Sequence, residues 1–145
     1  MWLSVVVLEE LYVGAVDPKA RRNLQYMERQ FAKIGRLLVP ASGDWTSAGH
    51  VLCKIGQKYG FNLVSNARLT NDAVIAMCVA SRGFTLQTKN PRDFRLIAEF
   101  RHFDWQTVSF DGYWTCHWPS PGDPRAGTVP RVQYADYLSN WIGRS

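Results

Sequence analysis

The stretch LTNDAVIAMCVASRGFTLQT, residues 69–88, decides the fold class. Its first part, residues 69–81, is apolar on most sides of a predicted helix, which indicates a helix buried on most sides. Gly83 is a residue with which helices commonly end. The following segment, Phe84–Thr88, is a short run of strand-forming residues. The stretch therefore predicts a buried helix that leads directly into a strand.

Short strands and amphipathic helices alternate on both sides of this stretch. The other predicted strands are Trp2–Val7, Leu37–Val39 and Phe61–Val64. Between and after them lie helical patterns that begin near Val7, at Asp17-Pro18, at Ser42 and near Phe94. A strand followed by a helix, repeated along the chain, is typical of an α/β domain. We therefore predict an α/β fold with a mainly parallel sheet.

The helical patterns carry apolar stripes that predict the core. The side chains expected to be substantially buried are Leu24, Phe31, Trp45, Leu52, Ile75 and Val79. Cys53 and Cys78 also lie on apolar faces, where buried thiols are expected. The chain has three cysteines without C-x-x-C spacing, which argues against a disulfide framework or a zinc site.

Composition and charge limit the classes of function. With 145 residues and 46% hydrophobic content, the chain is expected to form one ordinary core. The net charge is +5, and all of the excess lies in residues 1–106, which hold 14 Lys and Arg against 9 Asp and Glu. This suits a polyanion such as RNA, although a modest positive balance also serves solubility alone. No secretory signal or membrane span is readable, so a cytoplasmic protein without a membrane partner is expected.

The composition changes near residue 106. Residues 107–145 contain four prolines, four glycines and three of the six tryptophans, and helical periodicity is largely lost. We predict that the chain divides into a domain of residues 1–106 and an irregular C-terminal extension of residues 107–145.

Acidic and other oxygen-bearing residues follow the predicted strands. Glu10 lies on the helix after the first strand, Asp72 opens the most buried helix, and Asp93 follows Phe84–Thr88 by one turn. Thr88 and Asn90 lie at the carboxyl end of that same strand. In a parallel α/β sheet the carboxyl ends of the strands share one edge, where ligands bind.

Carboxylates gathered at one edge repel each other unless a cation neutralises them. Oxygen ligands without His or Cys favour Mg²⁺ or Mn²⁺, and such an ion can activate water for displacement at phosphorus. The alternative is that each acid is an ordinary residue near a helix N-terminus, and for Asp72 or Asp93 taken singly that explanation is preferred. Spacing alone leaves both explanations open.

Three motifs in order resemble the PIN-domain ribonucleases of the VapC toxin type. Residues 4–14, SVVVLEELYVG, are similar to the family's strand followed by Ser and Glu-Leu-x-x-Gly, with Glu10 as the matching acid. Residues 71–76, NDAVIA, resemble the Asp-Ala-x-Ile-Ala helix, and residues 84–94, FTLQTKNPRDF, resemble the Leu-x-Thr-x-Asn-x-x-Asp-Phe ending. The resemblance covers residues 2–105.

The resemblance implies a three-layer α/β/α fold, RNA cleavage that depends on Mg²⁺ or Mn²⁺, and a cognate antitoxin protein. It implies that Glu10, Asp72 and Asp93 are catalytic, metal-binding carboxylates. It further implies that Thr88 and Asn90 shape the site, with Arg92 as a phosphate contact.

One departure opens alternatives. Family members begin with a strand that ends in Asp-Thr/Ser-Asn and supplies the first metal-binding Asp, and nothing before Trp2 provides it. We therefore expect reduced activity, and an unpaired sheet edge that a second copy could fill as a homodimer. The alternatives to an active endoribonuclease are a catalytically inactive remnant that only binds the antitoxin, and a metal phosphohydrolase for small substrates.

Overall fold

The computed structural model of the protein describes residues 1–108 and the backbone of a strand at residues 131–133. Its elements, in chain order, are β1 (Trp2–Ser4), α1 (Val5–Gly14), α2 (Pro18–Lys33), β2 (Leu37–Leu38), α3 (Ser42–Tyr59), α4 (Phe61–Val64), α5 (Ala67–Arg82), β3 (Thr85–Thr88), α6 (Pro91–Ala98), β4 (Asp104–Thr107) and β5 (Arg131–Gln133). This order of helices and short strands confirms the predicted α/β class.

The strands form one five-stranded sheet in the order β2-β1-β5-β3-β4. Each neighbouring pair is parallel. The predicted parallel sheet is therefore confirmed, and the carboxyl ends of its strands share one edge.

Strand β5 occupies the middle of the sheet and comes from the segment that was predicted to be an extension. Leu3 of β1 and Gln87 of β3 both pair with Gln133 of β5. β1 therefore has a strand on each side, β2 and β5, so the expected unpaired edge does not lie at β1. The extension contributes at least this strand to the sheet, and the division at residue 106 otherwise stays a prediction.

Local sequence explains where the helices begin and end. The predicted strand Trp2–Val7 ends at Ser4, because the Ser4 hydroxyl accepts a hydrogen bond from the Val6 N–H and starts α1. Helix α5 ends at Gly83, which has a left-handed backbone with φ of 63°. Glycine meets this requirement without strain.

The predicted strand Phe61–Val64 is wrong, because these residues form the short helix α4. Gly60, with φ of 97°, turns the chain after α3. The Phe61 ring then lies so close to Gly56 that a Cβ at Gly56 would come within 2.6 Å of it. The backbone turn and this contact return the chain onto α3, which favours a helical turn over an extended segment.

Most of the predicted core is confirmed. Leu24, Phe31, Ile75 and Val79 are buried, and Leu52 is half-buried. Trp45 is 50% exposed, so its predicted burial is wrong, and Cys53 is exposed as well. The buried residues of α3 are Asp44, Ala48, Val51, Ile55 and Gly56. The first of these residues, Asp44, is charged. The apolar pattern of the sequence therefore indicated the neighbouring Trp45 in its place.

Replacement of Ile75 by Ala is expected to lower the free energy of unfolding by about 2–5 kcal/mol. Ile75 has no exposed surface and lies in the helix that is buried on most sides, so truncation leaves a cavity. Urea denaturation of the variant and the parent measures the change. Val16→Ala is the control, since Val16 is 85% exposed, and it is expected to change stability by less than about 0.5 kcal/mol. Equal changes at both positions would contradict the assigned core.

Within the described part of the chain, no helix combines the length and apolar character that crossing a membrane requires.

Candidate active site

Most of the predicted site residues follow the ends of two strands that flank β5, whereas Asp72 lies within α5. Ser4 is the last residue of β1 and Thr88 is the last residue of β3. Because Leu3 and Gln87 pair with the same residue of β5, the two strand ends lie at the same level of the sheet. They are two strand spacings apart, roughly 10 Å. The chain that leaves these ends therefore enters a common region at the carboxyl edge.

Asn90 joins two of the predicted acids. Its side-chain amide donates to Asp93 Oδ2 at 2.9 Å and to Asp72 Oδ2 at 3.3 Å. Asp72 is fully buried in α5, whereas Asp93 is half-buried in the first turn of α6. Two carboxylates from separate helices thus lie within hydrogen-bonding distance of the same nitrogen atom.

Thr88 and the turn after β3 hold Asn90 in place. Thr88 is 1% exposed, and its hydroxyl oxygen accepts a hydrogen bond of 2.9 Å from the Asn90 N–H. Pro91 then fixes the first turn of α6. The short connection positions the Asn90 side chain against both carboxylates.

Glu10 is hydrogen-bonded to Asn71, a residue to which the sequence motifs gave no role. The Asn71 side-chain amide donates to Glu10 Oε1 at 3.0 Å. Asn71 directly precedes Asp72 in α5, so Glu10 and the pair formed by Asp72 and Asp93 are connected through neighbouring residues of one helix. Asn71 belongs to the motif of residues 71–76, and its place there could have identified it. Only Asp72 of that motif was predicted to be a site residue.

The predicted residues are brought together to different degrees. Asp72, Asp93, Asn90 and Thr88 form one hydrogen-bonded group, whereas Glu10 is hydrogen-bonded to Asn71, the residue before Asp72 in α5. Within the described residues, no three His, Cys, Asp or Glu side chains are close enough to hold a metal ion together. The predicted set of three carboxylates around one ion is therefore not present as a compact cluster in this part of the chain.

The donor chemistry of the group nevertheless suits a small divalent cation. The carboxylates of Asp72 and Asp93 supply hard oxygen atoms. Mg²⁺ retains several waters and is commonly bound by only one or two protein carboxylates. A pair of carboxylates that already converge on one hydrogen-bond donor meets that requirement.

A second buried acid, Asp44, has a different environment. It lies 2.9 Å from the Arg82 guanidinium, and it also accepts hydrogen bonds from the Ala41 N–H, Ser81 and the Cys78 thiol. Burial alone would raise the pKa of Asp44, but the hydrogen bonds from Ala41, Arg82 and Ser81 outweigh it and lower the pKa to about 2. The Asp44 carboxylate is thus occupied by structural hydrogen bonds and an ion pair, and we assign it to the core rather than to the site.

No protein-family model, no curated protein and no solved structure matches this chain. The resemblance to PIN-domain ribonucleases therefore depends on the three sequence motifs alone.

Proposed function

We propose that the protein is a metal-dependent endoribonuclease of the PIN-domain, VapC-like kind, with the three-layer α/β/α arrangement of that family. The observation that carries the proposal is the shared contact of Asn90 with Asp72 and Asp93. Two motifs that were identified separately in the sequence meet there in space, at the end of a strand in a parallel sheet. That edge is where α/β folds bind their ligands.

Asp72 and Asp93 would hold the Mg²⁺ or Mn²⁺ ion, and Asn90 and Thr88 would shape the site through their hydrogen bonds. When bound, the ion would lower the pKa of a water molecule and stabilise the charge that develops at phosphorus. Asn90 keeps the two carboxylates aligned through its hydrogen bonds, and Asn71 holds Glu10 by a hydrogen bond from the neighbouring position of α5. Glu10, the acid of the first motif, would be the third metal-site carboxylate that the resemblance implies. Full burial of Asp72 limits competing water at its carboxylate.

The surroundings of Asp93 favour a polymeric substrate over a small one. Asp93 borders an open pocket that also contains the exposed Arg92 and Arg95. Enclosed sites suit small ligands, which bury most of their surface on binding. An open edge with exposed cations suits a strand of phosphates. RNA is therefore preferred to a small phosphate ester as the substrate class.

A cleavage assay with single-stranded RNA tests the proposal. The full chain is incubated with labelled RNA in Mg²⁺, in Mn²⁺ and in excess chelator, and the products are separated by size. We expect internal cleavage in at least one metal and none in the chelator. An RNA that stays intact in both metals at high protein concentration, while the protein is folded by circular dichroism, would reject the enzyme.

We also propose that a cognate antitoxin protein binds near the acidic edge and blocks it. This part follows from the resemblance and is an argument by analogy. Co-expression with the neighbouring reading frame should yield a complex that survives purification and has lost RNA cleavage. Recovery of a complex from a chain that never cleaves RNA would instead favour the inactive, antitoxin-binding alternative. Light scattering of the same preparations reports whether the protein alone is a homodimer.

A further inference from the structure

An open pocket of about 290 Å³ adjoins the proposed metal site on the side of Asp93. Its lining includes Tyr59 and Leu63, the α6 residues Arg92, Asp93 and Arg95, and Glu99 directly after α6. Residues 92, 95 and 99 recur at helical spacing, so they share one face of α6, whereas Phe94 and Ile97 are buried on the other. The pocket thus places aromatic and cationic side chains beside a carboxylate of the site.

The Tyr59 ring is held in a fixed position at this pocket. Its hydroxyl donates a hydrogen bond of 2.7 Å to Glu99 Oε2, and the Phe100 ring meets it edge-on at a centroid distance of 6.5 Å. The Lys58 ammonium lies 4.8 Å from the Tyr59 ring centroid and 2.9 Å from the same Glu99 oxygen. Tyr59 is still 46% exposed. A ring that is fixed and exposed can stack on a nucleobase at a low cost in conformational entropy.

Arg92 and Arg95 supply exposed positive charge at this pocket. Both are exposed, and within residues 1–108 neither guanidinium forms an ion pair or a hydrogen bond. The acid Glu99 at the same pocket is already neutralised by Lys58. The two arginines are therefore available for phosphate groups, which they bind with several donors each.

We propose that this pocket binds the single-stranded RNA next to the cleaved phosphate. Arg92 and Arg95 contact successive phosphates, and the Tyr59 ring stacks on a neighbouring base. The inference deepens the proposed function and rests on it for the position of the cleaved bond. It assigns substrate contacts to Tyr59 and Arg95, which no sequence motif indicated. Single-stranded RNA is favoured over a duplex, because stacked and paired bases are not accessible to the ring.

Binding without cleavage tests this inference. Fluorescence anisotropy measures the affinity of a labelled single-stranded RNA for the full chain in excess chelator, across a range of salt concentrations. For Arg92→Gln combined with Arg95→Gln, we expect roughly tenfold weaker binding or more. The slope of log K against log salt should fall in magnitude by about 0.7 for each arginine lost. Arg22→Gln, which removes an exposed arginine of α2, should leave the slope unchanged.

The Tyr59 variants test the stacking contact separately. Tyr59→Leu should weaken binding about 5- to 100-fold, whereas Tyr59→Phe keeps the ring and should bind nearly as the parent does. A duplex of the same sequence should bind more weakly and respond little to Tyr59→Leu. Equal losses for Leu and Phe, or none for Leu, would overturn the stacking contact.

The outcome is distinguishable from a failure of the proposed function. Unchanged binding and cleavage in the arginine and tyrosine variants would overturn this inference while the enzyme stands. The expected binding losses in a chain that does not cleave RNA would reject the enzyme and support the pocket as an RNA site. Binding of a polyglutamate peptide in place of RNA would assign the pocket to an acidic protein segment and overturn the inference.

Discussion

Replacement of Asp72 by Asn is expected to lower metal-dependent RNA cleavage at least about 100-fold. Asp72 is fully buried, shares Asn90 with Asp93, and is one of the two carboxylates proposed to hold the ion. Asn has the same shape, and its amide oxygen can still accept the hydrogen bond from Asn90. The substitution therefore removes charge from the site while it leaves the packing of α5 in place.

A matched carboxylate outside the site provides the control. Asp104 begins β4, where it pairs with Thr85, so it lies at the opposite, amino-terminal edge of the sheet. Asp104→Asn removes the same charge and is expected to leave cleavage within a small factor of the parent. Rates are compared in both metals, with circular dichroism as a check on folding. Equal losses in both variants, or a fully active Asp72→Asn protein, would contradict the assignment of Asp72.

The largest part of the site could be predicted because its residues are close in sequence. Thr88, Asn90 and Asp93 lie within one turn of the end of β3, so a strand, a proline and a helix N-terminus fix their relative positions. Local patterns determine such arrangements, since the geometry of a strand end and of a first helical turn is nearly constant. The buried helix α5 and its end at Gly83 were predictable for the same reason.

The contacts between distant segments could not be predicted. Glu10 and Asn71 come from different helices, and the packing angle between α1 and α5 decides that they meet. Likewise, Tyr59 at the end of α3 reaches the α6 pocket only because α3 and α6 pack together. No spacing in the sequence encodes these distances, which depend on how the helices cross.

Strand β5 shows a further limit of local patterns. The segment that contains it has four prolines and lost periodicity, which indicated an irregular extension. A strand in the middle of a sheet is nevertheless stabilised by backbone hydrogen bonds to both of its neighbours. β5 pairs in this way with β1 and with β3. Three residues are too few for an alternation pattern to be recognised. Its position could be found only from the sheet itself.

Replacement of Asp44 by Ala is expected to lower the free energy of unfolding by about 3–5 kcal/mol. The Asp44 side chain is 5% exposed, and it accepts hydrogen bonds from Arg82, Ser81 and the Ala41 N–H. Its removal leaves the half-buried Arg82 guanidinium without its counter-charge and the other donors without an acceptor. Asp17→Ala is the control, because Asp17 caps α2 in an exposed position, and only about 1 kcal/mol is expected there.

The pH dependence of this loss separates the ion pair from simple packing. The pKa of Asp44 is about 2 in the folded protein, against an ordinary value of 3.8, so its charge stabilises the fold above about pH 4. As the pH falls from about 4 to about 2, the carboxylate is protonated and the parent loses about 2 kcal/mol of that stabilisation. The variant has no such group, so the stability difference between the two proteins should shrink over this range. A difference that stays constant from pH 7 to pH 2 would show that Asp44 contributes packing alone. The double variant Asp44→Ala, Arg82→Met gives a second test. If the loss comes from an unpaired buried cation, removal of that cation should restore part of the lost free energy of unfolding, whereas a loss of packing alone predicts no restoration.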